Sequence, residues 1–254
     1  MNTLRKLVNK PVVLTSRGNV AIKEALKHVR SQGGETILIP DQGGWLTYKQ
    51  FPPKLGLSCV EIKTDDAVFD LDDLAKKAKD ASALLYEQPA GYFAHQDMKR
   101  IYEICKKKNC LVIADVSGCI GDAEIFEPDA ADIVVCSFGE GKAIDVGYGG
   151  LIAGEVLVSE SFDHSYMRAL EGRLHELPRR LRALYAVCDD IKQDFLSLHH
   201  DRKGIVVVVP FEDEKKREEI ISYCKSEGLE YTECPRYIRV LRKAISIEVK
   251  RKIF

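Results

Sequence analysis

A chain of 254 residues is long enough for one large α/β domain, or for a large domain with a small one beside it. The composition is ordinary for a globular protein, 45% hydrophobic and 30% charged, and a net charge of −1 gives no electrostatic reason to expect nucleic acid as a partner. The longest apolar runs, at 205–210, 111–114 and 133–136, fall far short of the ~20 residues that span a bilayer, and the first ten residues lack the apolar stretch of a signal peptide, so no membrane association and a cytoplasmic location are expected.

In chain order, residues 20–30 come first, placing Ile22, Ala25, Leu26 and Val29 on one face, the spacing of an amphipathic helix that Gly33 and Gly34 end. A short buried strand is predicted at 36–39, a loop at 40–44, and a helix or turn leading to Gly56. Strands follow at 58–62 and 82–86, helices at 71–78 and 97–107, and further strands at 111–114, 133–136 and 151–153. The strands are continuously apolar, as burial on both faces requires, and the helices between them imply parallel crossovers. Past residue 159 the pattern changes. Residues 166–198 read as a helix broken once at Pro178, followed by a strong strand at 204–209, a helix at 213–226, and strands at 237–241 and 246–249. The predicted architecture is α/β: a mostly parallel sheet sandwiched by helices over 1–160, a linking helix over 161–200, and a small C-terminal α/β domain over 201–254.

The eight cysteines form no C-x-x-C pair, so no metal site is expected; most sit in apolar stretches, where free thiols behave as small hydrophobes. Chemistry is sought instead in the loops after the strands, because ligands of open parallel sheets bind beyond the strands' carboxyl ends. In 137–150, Lys142 is surrounded by glycines just past a buried strand. Glycine allows close backbone approach, Ser137 can bond an anion, and a partly buried lysine loses proton affinity, freeing its amine to form an imine. A glycine-rich turn with a solvated lysine accounts for the same letters equally well. In a second loop Asp115 directly follows an apolar strand, where a buried carboxylate wants a cation such as a protonated pyridinium; a helix cap or turn aspartate is the alternative. In a third, Arg17, Gly18 and Asn19 open the first amphipathic helix and form an anion nest, or else a plain N-cap by Asn19 with a surface arginine.

Together the three loops resemble the fold-type I enzymes that use pyridoxal 5′-phosphate (PLP), and within them the DegT-like sugar aminotransferases. That family carries Ser-Phe-x-x-x-Lys followed by Gly-x-Gly-Gly, and Ser137, Phe138, Lys142, Gly147, Gly149 and Gly150 match it at the same spacing. Its ring-nitrogen aspartate ends an earlier strand as Asp-x-Ala or Asp-x-Ser, as Asp115 and Ser117 do. The resemblance implies that Lys142 holds PLP as an internal aldimine and then serves as base, and that Asp115 pairs with the ring nitrogen. It further implies a phosphate site of Ser137, Arg17, Gly18 and Asn19, Trp45 stacked on the ring, Gln88 at the phenolic oxygen, and Arg239 on the substrate's carboxylate. The implied activity is amino transfer between small-molecule donors and acceptors by a homodimer. A PLP-dependent lyase, desulfurase or decarboxylase, and a non-catalytic PLP-binding regulatory protein, are the alternatives. The chain is short for this family, and the shortening falls where substrate is normally gripped.

Overall fold

A computed structural model of the chain describes residues 2–252. The chain opens with α1 (Asn2–Val8), β1 (Val12–Thr15), α2 (Gly18–Ser31), β2 (Thr36–Pro40), α3 (Thr47–Lys54) and β3 (Ser58–Ile62). A small hairpin of β4 (Thr64–Asp65) and β5 (Val68–Phe69) leads to α4 (Leu71–Lys77), β6 (Ala83–Glu87), α5 (Met98–Lys106) and β7 (Leu111–Asp115). Then come β8 (Ile133–Ser137), β9 (Gly150–Ala153), the long α6 (Met167–Asp194), β10 (Val207–Pro210), α7 (Glu214–Ser226), β11 (Tyr231–Cys234) and β12 (Ala244–Ile247).

Seven strands form one sheet in the order β1-β9-β8-β7-β6-β2-β3. The pairings from β8 through β3 are all parallel, while β9 runs antiparallel to both its neighbours. The apolar runs explain the layering. Alternate residues of a strand point to opposite faces. Ile37, Ile39, Leu85, Ile113 and Val135 therefore meet the Ala21, Ile22, Ala25, Leu26 and Val29 stripe of α2. Leu38, Leu84, Val112, Ala114 and Val134 fall in the core of the opposite face, which α1, α5 and α6 cover. The α6 contribution is Leu170, Leu174, Leu177, Leu181, Leu184, Cys188 and Ile191, one helical face in steps of three and four. All eight cysteines are free, and all but Cys59 are buried.

The second sheet, β10-β12-β11, is antiparallel and carries α7. Two sequence expectations change here. The helix is not broken at Pro178, which lies inside the continuous α6. The strand expected at 237–241 is a turn: Pro235 lacks the N–H a ladder needs, the Arg236 N–H bonds the Val240 carbonyl at 2.8 Å, and pairing is done by β11 instead. Among the described residues no helix is long and apolar enough to cross a membrane.

Candidate functional site

At the carboxyl edge of the large sheet lies a cavity of about 190 Å³. Its walls come from the start of α2 (Arg17, Gly18, Asn19), the loop after β2 (Trp45), the loop after β6 (Tyr92), the end of β7 and the loop after it (Asp115, Ser117), and the end of β8 and the loop after it (Ser137, Lys142). The antiparallel return of β9 makes this assembly possible, because it brings Gly147 and Gly149 back to the edge where β8 ends.

The three anion-nest residues sit where an anion would meet helix N–H groups. Arg17 is the N-cap of α2, extended and without a side-chain bond to the first turn, whereas α4, α5 and α7 are each capped by an aspartate. The Val20 N–H bonds the Arg17 carbonyl at 3.0 Å, and the N–H groups of Gly18 and Asn19 stand ahead of the first helical bond, open to an anion. Gly18 is required there: a Cβ would lie 2.5 Å from the Ser137 Cβ. Gly149, at φ +90°, lets the chain pass Phe162 at a distance no side chain would tolerate. Asn19 accepts a bond from the Trp45 indole N–H at 2.9 Å, which orients the ring in the cavity wall.

Asp115 is held from three directions. Its Oδ1 accepts from the Ser117 hydroxyl at 2.5 Å and the Ser117 N–H at 3.1 Å, and its Oδ2 from the Tyr48 hydroxyl at 2.9 Å. The Ser117 oxygen also accepts from the Ser137 N–H at 2.8 Å, tying the ends of β7 and β8. Burial raises the Asp115 pKa despite these donors, so the carboxyl gains from any cation brought to it.

Lys142 is only 9% exposed, with its amine 4.8 Å from the Trp45 ring centroid and 4.3 Å from that of Tyr92, whose hydroxyl accepts its hydrogen bond. Burial lowers its pKa, opposed by the nearby Glu87 and Asp115 carboxyls. From α6, Arg180 Nη2 donates to the Lys142 carbonyl at 3.3 Å and to the Lys250 carbonyl at 2.9 Å, tying the lysine loop to the end of the small sheet.

Two expected site residues stand elsewhere. Gln88 does not line the cavity: its amide donates to the Gln96 and Ile125 carbonyls at 3.1 and 2.7 Å and accepts from the Gln96 N–H, so it braces the loop behind the sheet. Arg239 is buried, and its fork is taken by Glu248, with Nη2 at 2.7 and 3.0 Å from the two carboxylate oxygens. A substrate carboxylate would have to displace one the chain already supplies.

Sequence reasoning also missed three participants. Tyr92 holds φ +66°, a region bulky residues seldom adopt; the Pro-Ala-Gly that precedes it after β6 is the one signal that marked its loop. Tyr48 is on α3, where only a helix or turn was legible. Glu87 lies opposite Asp115 in the sheet, buried, with Oε1 unpartnered.

Burial raises Glu87 to about 8 from 4.5. It therefore stays protonated in the folded chain through neutral pH while the unfolded chain's carboxyl ionises. The folded state binds more protons between those values, so stability falls as pH rises across that window. Glu87→Gln is expected to flatten this decline and to add up to about 4 kcal/mol near pH 8. Urea titrations near pH 5 and pH 8 check it; the same pH slope in both proteins refutes it.

Residues 178–252 match the model of the MJ1341 family C-terminal domain. No curated protein sequence matches the chain. Among solved structures, an aspartate aminotransferase from Thermus thermophilus superposes with a TM-score of 0.76 at 14% identity, over 98% of this chain and 82% of that one. A putative sugar aminotransferase from Streptococcus pneumoniae, in its PMP form, gives 0.76 at 12% identity over 98% and 85%. A cysteine desulfurase from Thermococcus onnurineus gives 0.72 at 12% identity over 97% and 76%. This chain has the fold that these enzymes share.

Proposed function

We propose that the protein binds PLP in the cavity around Lys142 and works as an aminotransferase. The observation that carries this reading is the convergence of a buried lysine amine, a buried carboxyl held by three donors, and an uncapped helix start with its glycine cradle, all at one sheet edge. The residues fit the group. Arg17, Gly18, Asn19 and Ser137 offer donors to its phosphate, Asp115 a carboxylate to its ring nitrogen, Trp45 a flat face, and Lys142 the amine for covalent attachment. Solved neighbours in PLP and PMP forms support the choice of cofactor.

When bound, PLP supplies an electron sink for the bond broken at the substrate's α-carbon. The chain's own part is to place and move protons. Asp115, fixed by Ser117 and Tyr48, keeps the ring nitrogen protonated. The Lys142 amine, made less basic by burial, is suited to take the α-proton and return it, with the Tyr92 hydroxyl holding it in position.

A desulfurase needs a mobile nucleophilic thiol, and the two cysteines nearest the cavity, Cys119 and the cavity-lining Cys136, argue against that alternative. Cys119 is fully buried against the Gln88 carbonyl, Cys136 is held within β8, and burial pushes both thiols up.

Glutamate added to the PLP-loaded protein is expected to bleach the visible band and yield one keto acid per site, and a keto acid should then restore it. Release of ammonia, sulfide or carbon dioxide with the band persisting would replace amino transfer by a lyase or decarboxylase reaction. No response to any amino donor would leave a regulatory PLP-binding protein.

A further inference from the structure

Two thiols meet where the chain leaves α5 and enters β7. The helix ends in a reversed turn: the Cys110 N–H bonds the Cys105 carbonyl at 3.0 Å, the Asn109 N–H bonds the Lys106 carbonyl at 3.2 Å, and Asn109 lies at φ +55°, in the left-handed region. Bonds in this pattern press a side chain of the last helical turn against the one just past the reversal, a contact that two apolar residues ordinarily fill. Here both are cysteines. Each is fully buried, and their thiols lie within hydrogen-bonding reach of each other.

The junction does not need its sulfurs to hold together. Asp132 accepts from the Tyr102 hydroxyl at 3.2 Å and the Lys106 amine at 3.0 Å on the α5 side, and from the Val112 N–H at 2.8 Å in β7. Between the cysteines stand Lys106, Lys107, Lys108 and Asn109, all exposed, and Lys107 and Lys108 have no ion-pair partner among the described residues. The hydrogen bond with Cys110, and after it burial, push the Cys105 thiol up. Exchange therefore waits on local opening of the turn, and helix ends are among the first parts of a fold to open. Once it opens, the free lysines favour a thiolate and draw an anionic reagent to it.

We propose that Cys105 and Cys110 form a covalent modification site for small anionic disulfides of the glutathione class, whose end product is a protein disulfide clamping α5 to β7. One cysteine thiolate attacks a sulfur of the reagent, forming a mixed disulfide and expelling one glutathione thiolate. The second cysteine attacks the protein sulfur of that mixed disulfide and expels the other glutathione. Two protein thiols are oxidised, one reagent disulfide is reduced to two thiols, and the two protons pass to the expelled thiolates. The second step is intramolecular and its thiol is already in contact, so the mixed disulfide does not accumulate. The clamp closes at the amino end of the strand whose carboxyl end carries Asp115, five residues or roughly 16 Å away, and so it braces the sheet without entering the cavity.

The test is incubation of fully reduced protein in glutathione buffers of rising oxidised fraction, followed by acid quenching, alkylation and tryptic mapping. Trypsin cuts at the lysines between the two cysteines, so the peptide 101–106 stays with the Cys110 peptide only through a disulfide. Linkage is expected in most molecules at the oxidising end, reversed by dithiothreitol, with a melting temperature raised by at least about 4 °C. The Cys110 peptide also carries Cys119 and Cys136, so Cys110→Ala assigns the bond: there the linkage should vanish. Should that variant fail to fold, fragmentation of the linked peptides from the unaltered protein locates the bond instead. A 101–106 peptide that stays alkylated in the most oxidising buffer would overturn the proposal. So would linkage to Cys119 or Cys136, a lasting glutathione adduct in place of the link, or a cross-linked protein that melts no higher than the reduced one.

Discussion

Lys142→Ala protein is expected to take up PLP without the visible band of a lysine-linked cofactor, and to lose turnover by at least about a thousandfold. The phosphate and ring contacts proposed above come from Arg17, Gly18, Asn19, Ser137, Asp115 and Trp45, which line the cavity and which the substitution leaves in place. What disappears is the one amine placed between Trp45 and Tyr92. Borohydride reduction of the unaltered protein and peptide mapping give the complementary result, a single labelled peptide containing Lys142. The informative competitor is Lys250, a second buried amine near the same tyrosine, with its pKa lowered to about 8 chiefly by burial. Label on the Lys250 peptide, or full turnover in Lys142→Ala, would move the covalent anchor.

Asp115→Asn should fold normally and lose about a thousandfold or more in turnover, several kcal/mol in the barrier. The amide oxygen can keep both bonds from Ser117 while the amide nitrogen donates to the Tyr48 hydroxyl oxygen, but the amide cannot hold a proton on the cofactor's ring nitrogen. The Ser117 hydroxyl would still accept from the Ser137 N–H, so the ends of β7 and β8 stay tied and the loss is chemical, not architectural. Thermal melting coincident with the unaltered protein, together with the kinetic loss, checks both halves. Near-normal turnover would remove Asp115 from the reaction.

What could be read in advance depended on how far apart in sequence the interacting residues lie. The lysine segment was legible because Ser137, Lys142 and the glycines after it belong to one stretch whose spacing is itself the signature. The large sheet was legible because strands buried on both faces show it in every letter. Gln88 was misplaced because its partners, the backbones of Gln96 and Ile125, are chosen by the tertiary fold; a glutamine after a strand looks the same whichever way it turns. Arg239 was misassigned for a related reason. Its carboxylate comes from Glu248 across a turn and a strand pairing, and the expected strand at 237–241 concealed that turn. Tyr92 escaped notice because its contact with Lys142 spans 50 residues and depends on an unusual backbone angle.

The place of β1 at the sheet's edge bears on how the protein is made. Its single neighbour in the sheet is β9, with Thr15 facing Gly150. Within this sheet β1 is thus separated from its partner by more of the chain than any other strand, a wait of roughly ten seconds at ordinary rates of synthesis. Until then the turn at Arg17 has nothing to dock on, since Gly149 supplies its bridge and Gly150 packs against its backbone. The α2 side of the pocket is encoded before the lysine side, yet it takes shape only after the lysine loop has been translated. A nascent chain therefore has no half-built pocket: its two sides close together or not at all.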